Sequence, residues 1–172
     1  MAVAPSVRPF HAHEWRTYRA LRLRALADSP DAFGGTLAGE KNRPDSHWAN
    51  RLTLGADHRW NLPLLAEVDA QPAGLAWGRI EQANPEVANV YQMWVAPTHR
   101  GQGAGRLLLE AIIAWASATG ARRVLLSVTC GESSARRMYV RAGFTPIGEA
   151  VPLRLGSDLL VQPMQMLLLS DR

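Results

Sequence analysis

The sequence predicts a mixed α/β fold, and three observations carry that prediction. An apolar run, Val90-Tyr91-Gln92-Met93-Trp94-Val95, suits a buried strand. The glycine-rich turn Arg100-Gly101-Gln102-Gly103-Ala104-Gly105 follows it, and a helix-periodic stretch begins at Arg106. A second apolar run, Arg123 to Val128, comes after the helix. Strand, crossover helix and strand form a right-handed unit, so these two strands are expected to be parallel.

The remaining elements fall in order around this unit. Val3 to Arg8 reads as a short first strand. Ala12 to Ala27 carries Trp15, Tyr18, Leu21, Ala25 and Leu26 at helical spacing, with Pro30 just beyond. Ala32 to Thr36 holds Gly34 and Gly35 and reads as a turn. Pro44, Trp48 and Leu52 mark a second short helix. Leu62 to Val68 and Ala73 to Ile80, separated by Asp69-Ala70-Gln71-Pro72, predict a hairpin. The strand that precedes the glycine turn spans Val87 to Val95 and ends before Pro97. The following helix shows Leu108, Ala111, Ile112, Trp115 and Ala118 on one face, with Gly120 placed to cap it. A last short helix, Ala135 to Ala142, closes at Gly143. Phe144 to Val151 and Leu159 to Leu168 predict a final antiparallel pair, in which Pro163 forces a bulge or an edge. No repeat or linker divides the chain, and residues 1–172 are expected to form one domain.

Composition narrows the class of protein. The 172 residues are 47% hydrophobic and 20% charged, the profile of a globular protein with one core. The N-terminal residues show no apolar signal-peptide region, and no apolar run reaches the roughly 18 residues of a membrane span. Cys130 is the only cysteine, which excludes an internal disulfide and a cysteine-cluster zinc site. The expected compartment is the cytoplasm. Net charge is +4, yet the arginines are not gathered into one tract and no aromatic interleaving accompanies them. An anionic small-molecule cofactor explains that charge at least as well as nucleic acid does.

The glycine turn points to where such an anion would bind. Between a strand and a helix, its backbone N–H groups converge at the positive end of a helix dipole, a place for phosphate. Glycine lets the main chain approach an anion closely and adopt positive φ. Two better-known phosphate loops do not match. Counted from Gly101, the sixth position of a dinucleotide fingerprint is Arg106, too bulky for close helix–strand packing. No Gly-Lys-Ser/Thr tripeptide is present. What remains is an Arg-x-x-Gly-x-Gly turn that opens a helix, bracketed by Arg100 and Arg106.

From about Val90 to Phe144 the chain resembles the GNAT superfamily, the N-acetyltransferases that use acetyl-coenzyme A. Trp94 to Pro97 with Arg100 to Arg106 is similar to the family's strand and pyrophosphate loop. Leu107 to Gly120 with Arg123 to Val128 resembles its helix and next strand. Ala135-Arg136-Arg137-Met138-Tyr139-Val140-Arg141-Ala142-Gly143-Phe144 resembles its Ala-x-x-x-Tyr-x-x-x-Gly-Phe helix. The resemblance implies a mixed sheet whose two central parallel strands splay apart, with flanking helices. It implies that pantetheine pairs with the backbone of Met93, Trp94 and Val95. The pyrophosphate would lie on the amides of Gln102, Gly103, Ala104, Gly105 and Arg106, with Arg100 and Gly101 completing the loop. Family members often carry asparagine three residues before Ala135; here Glu132 stands there, and Ser133 or Ser134 caps the helix and replaces part of that contact.

Tyr139 is the expected catalytic residue. Coenzyme A leaves as a thiolate with a pKa of about 8.5, and a positioned phenol can protonate it. The other use of Tyr139 is packing beside Met138 and Phe144. The incoming ammonium must lose a proton, and Glu81 and Glu86, with Glu67 behind them, are the acidic residues nearest the cofactor strand in sequence. Gln92 holds a strand position that could have carried a carboxylate. His11 and His13 lack a third ligand, so no metal is expected, and Cys130 has no base near it. Trp15, Trp77, Trp94 and Trp115 are expected in the core, and Trp48 either packs or faces the acceptor.

The expected function is transfer of acetyl from acetyl-coenzyme A to a primary amine, directly within a ternary complex. The alternative from another class is an acyl-coenzyme-A sensor without turnover. Acceptor contacts are expected from the first two helices and the loops at 33–36, 81–87 and 151–158. The oligomeric state is left open, a homodimer included.

Overall fold

The computed structural model describes residues 3–169. The strands are β1 (Ser6–Pro9), β2 (Asn61–Val68), β3 (Gln71–Ile80), β4 (Val87–Val95), β5 (Arg123–Thr129), β6 (Thr145–Pro146), β7 (Val151–Pro152) and β8 (Leu160–Leu167). The helices are α1 (Trp15–Asp28), α2 (Leu37–Glu40), α3 (Asp45–Gly55), α4 (Ala104–Ala118) and α5 (Ser134–Ala142). One sheet runs β1-β2-β3-β4-β5-β8-β6, and β7 also pairs with β8. Among the described residues only β4 and β5 are parallel neighbours, as the intervening helix predicts. This is a mixed α/β sheet with flanking helices.

The sheet has apolar side chains on both faces, and helices cover each. Leu108, Leu109 and Ile112 of α4 pack on Leu64, Ala88, Val90 and Val124. Each of these three α4 side chains is at most 1% exposed, and full burial of such a residue stabilises by roughly 1.5–3 kcal/mol. On the opposite face, Tyr18, Leu21 and Leu26 of α1 meet Trp48 and Leu52 of α3 and Leu65, Leu75 and Trp77 of the strands. Trp48 is fully buried against Tyr18, with ring centroids 5.8 Å apart, so it packs and does not face an acceptor. Trp77 and Trp94 are core residues, whereas Trp15 and Trp115 are only partly buried.

Several elements differ from the sequence reading, each for a local reason. The first strand starts at Ser6, after Pro5, and not at Val3. The hairpin turn is only Asp69-Ala70, both with positive φ, and Gln71 and Pro72 join the strand. The buried face of α4 is Leu108, Leu109, Ile112 and Ala116, while Ala118 is exposed. The short α2 is set by Thr36, whose Oγ1 accepts from the Gly39 N–H at 3.1 Å. The predicted strand 144–151 is two short pairings, β6 and β7, interrupted at Gly148 with φ +61°. Pro163 lies inside β8 with neighbours on both sides. Its carbonyl accepts from the Ile147 N–H, so its nitrogen faces the break between β6 and β7, where the Gln162 side chain donates to the Ile147 carbonyl at 3.2 Å in place of the missing N–H.

Candidate active site

The central opening arises from the way β4 and β5 pair. They match only at Val87/Arg123, Ala88/Val124 and Asn89/Leu125. Beyond Asn89 they separate, although β5 keeps its full register with β8 to Thr129. A bulge in β4 accompanies the split. Leu75 faces Trp94 and Trp77 faces Tyr91, so Gln92 and Met93 together oppose Ala76. Gln92 takes φ +57°, and its Oε1 accepts from the buried Tyr18 hydroxyl at 2.9 Å. That bond ties the bulge to α1. The facing backbone edges of both strands are thereby left without a ladder partner, and buried main-chain groups require one.

The glycine turn lies where β4 ends. Gly101 and Gly103 have φ of +74° and +93°, and a Cβ at either would meet no atom within 4 Å. Glycine is therefore required there by backbone conformation, and the space above the loop is free. Gly103 is the N-cap of α4 and supplies no side chain, so the amides of Ala104, Gly105 and Arg106 begin the helix uncapped. Gly105 serves packing: a Cβ there would lie 3.3 Å from Met138 Sδ of α5. The split, the open backbone edges and the uncapped amides suit an elongated, amide-bearing ligand with a pyrophosphate at one end, the shape of coenzyme A.

The two flanking arginines behave differently. Arg100 Nε donates to the Val95 carbonyl at 2.9 Å, and its Nη2 pairs with Asp28 Oδ2. The Trp94 indole N–H donates to the same carboxylate oxygen at 3.0 Å. Hydrogen bonds from Trp94, Ser29 and Arg100 hold the Asp28 carboxyl down at about 2. Arg100 thus clasps α1 to the end of β4. Arg106 is exposed on the first turn of α4 and pairs with Glu110 at 2.9 Å.

A cavity of about 1480 Å³ runs from the split across the uncovered part of the sheet. Asn89, Tyr91, Gln92 and Met93 line it from β4, and Leu125 to Thr129 from β5. The Trp94 side chain instead enters the core, and Val95 is only partly buried. Ser133, Ala135 and Tyr139 close one end. Ser133 is the cap of α5, its Oγ accepting from the Arg136 N–H at 3.1 Å, while Ser134 is the first helical residue and does not line the cavity. Glu132 is exposed, 3.7 Å from Arg137. Tyr139 is 6% exposed, and burial pushes its phenol up to about 12. The hydroxyl therefore stays protonated at neutral pH, and its ring packs beside Phe144, with centroids 6.1 Å apart.

The acidic candidates are separated by the structure. Glu81 follows β3, lines the cavity and pairs with Arg79 at 2.9 Å. Glu86 stands at the start of β4, the end opposite the split, pairs with Arg122 at 3.2 Å and does not line the cavity. Glu67 binds Arg8 at 3.1 Å beside β1 and is also outside it. Cys130 is exposed just beyond β5, and the rings of His11 and His13 stack 5.6 Å apart. Among the described residues, no group of three or more His, Cys, Asp or Glu is arranged to hold a metal ion, and no helix is long and apolar enough to cross a membrane. Two contributors escaped the sequence reading, Asp28 and the bulge at Gln92. Their partners lie 72 and 74 residues away along the chain, and no local pattern signals either contact.

Comparison with known proteins agrees with this geometry. The profile of the Acetyltransferase (GNAT) family matches residues 13–144. A mycothiol acetyltransferase of Thermobispora bispora is 32% identical over 130 residues, covering 73% of this chain and 41% of that protein. The chain thus spans about two fifths of the length of such curated relatives. Among solved structures, a GNAT-family acetyltransferase from Streptococcus pneumoniae superimposes with a TM-score of 0.81 at 21% identity, over 95% of this chain and 99% of that one. A phosphinothricin acetyltransferase from Sinorhizobium meliloti, solved with acetyl-coenzyme A, gives a TM-score of 0.78 at 16% identity, over 96% of this chain and 89% of that one. A strand pair split at a bulge, a glycine turn at the head of α4 and a matching profile lead to one conclusion: the chain belongs to the GNAT acetyltransferase family.

Proposed function

We propose that this chain is a cytoplasmic N-acetyltransferase, one catalytic domain over residues 1–172, that moves acetyl from acetyl-coenzyme A to a primary amine within a ternary complex. The observation that carries the reading is the opening of β4 from β5 after three paired positions, with the glycine turn at one end and Tyr139 lining the cavity. Met93 and Val95 offer backbone to the cofactor arm, and the loop from Arg100 to Arg106 offers amides to its pyrophosphate. Arg100 acts there chiefly by fixing the loop's entry, since its guanidinium is already committed to Asp28 and Val95. Acetyl-coenzyme A supplies the acyl group activated as a thioester. Tyr139 donates its proton to the leaving sulfur, and the amine enters from the cavity side, past Tyr91 and Gln92.

Acetyl-coenzyme A incubated with a panel of amines should release free thiol only when a suitable amine is present. Saturable binding of acetyl-coenzyme A with no thiol release from any amine would make the protein a sensor and overturn the reading.

Of the acidic residues, we assign proton removal from the amine to Glu81, acting through water, because it alone of Glu67, Glu81 and Glu86 lines the cavity. Glu81→Gln should flatten the acidic limb of the pH–rate profile, and Glu86→Gln should leave it unchanged. An unaltered profile in Glu81→Gln would pass the role to solvent.

A further inference from the structure

Sorted by partner, the charges that line the cavity leave one cation over. Arg22 pairs with Glu40 at 2.9 Å and Arg79 with Glu81 at 2.9 Å. Asp28 is held by Arg100, and Asp57 by Arg59 at 2.9 Å. Arg51 also lines the cavity, and among the described residues no carboxylate lies within 4.0 Å of it. Its guanidinium lies 5.7 Å from the centre of the Trp77 ring. That ring is oriented by its own N–H, which donates to Asn61 Oδ1 at 3.1 Å. The flanking residues Trp48 and Leu52 anchor α3 in the core, so the base of Arg51 is fixed while its head meets the cavity.

Building rests on the acetyltransferase reading above, we propose that the acceptor is an amine that also bears a carboxylate, and that Arg51 receives that carboxylate. A half-buried guanidinium without a counter-ion is costly, and its planar fork of donors matches a carboxylate with two parallel hydrogen bonds. A second guanidinium supports the same polarity: Nη1 of Arg22, on the same cavity wall, is buried with no hydrogen-bond partner. Arg22 lies one turn beyond Tyr18 on α1, and the Tyr18 ring is 5.6 Å from the Trp77 ring that Arg51 approaches, so the two cations share one region beside the bulge. The one lining carboxylate without a cation among the described residues is Asp31, on the turn whose carbonyl accepts from the Thr129 hydroxyl at 2.6 Å. An unpaired cation and an unpaired anion on one cavity complement a zwitterion. A polyamine would instead set a second positive charge against Arg51.

The test compares α- and ω-amino acids with their own carboxamides as acceptors, by thiol release from acetyl-coenzyme A. In the wild type, the acids should exceed their amides in kcat/KM by at least about tenfold, the scale of one charge-assisted hydrogen bond. Arg51→Met keeps an apolar stem on Trp77, and it should bring that ratio close to one by raising KM for the acids far more than for the amides. Arg51→Lys, which restores the charge without the fork, should recover part of the preference. Melting curves establish that both variants are folded. Equal use of acids and amides by the wild type, or a preference that survives Arg51→Met, overturns the carboxylate assignment and leaves acetyl transfer in place. No thiol release from either series, while another amine of the panel supports release, overturns the carboxylate assignment alone; no release from any amine overturns it together with the transferase reading.

Discussion

Tyr139→Phe should slow the chemical step of acetyl transfer by about 10²-fold, within the range of general acid catalysis. The substitution keeps the ring, its place on α5 and its contact with Phe144, and removes only the hydroxyl. Burial holds the phenol at about 12, so it is a proton donor throughout the physiological range. In the proposed role its hydroxyl would matter most as the leaving sulfur gains negative charge, which is a transition-state interaction. Acetyl-coenzyme A affinity should therefore change little while the single-turnover rate falls. A variant with normal chemical rate would return Tyr139 to a packing role.

Gly103→Asp should weaken acetyl-coenzyme A binding by at least ~2 kcal/mol, roughly thirtyfold. Two effects act in the same direction. Gly103 has φ +93°, a conformation that L side chains rarely adopt, and the new carboxylate would stand at the N-cap, where the proposed site puts the pyrophosphate. Gly103→Asn separates them, since asparagine tolerates the left-handed region and carries no charge. It should bind more tightly than Gly103→Asp and less tightly than the wild type. Equal affinities in folded Gly103→Asp and wild type, measured by calorimetry, would remove the loop from the cofactor site.

How much of this could be read from the residues depends on whether the determinant is local. The segment from Val87 to Thr129 was legible because Pro97, the glycine turn and Gly120 punctuate it, and both strands are predominantly apolar. The phase of α4 was harder. Ala111, Ile113 and Trp115 also pack partly against the core, so the helix is apolar over more than one stripe and its periodicity does not single out Leu109 and Ala116. At four residues, α2 is too short for any period. The glycine turn and Tyr139 announced themselves as motifs. The split between β4 and β5 did not, because it depends on the register of β3 against β4 and on a bulge held by Tyr18. Nor could the sequence separate Glu81 from Glu86, five positions apart: the turn between β3 and β4 places Glu81 on the cavity and leaves Glu86 against Arg122. Nothing in the sequence marks Arg51; only the ion pairs of the neighbouring arginines single it out.

In the proposed function the split strand pair and the glycine turn form a single acetyl-coenzyme A site. Calorimetric titration of acetyl-coenzyme A into the wild-type protein tests it most directly. Saturable binding of one molecule per chain is expected, weakened in Gly103→Asp and retained in Tyr139→Phe. Absence of saturable binding to the folded wild type, or binding indifferent to Gly103→Asp, would contradict it.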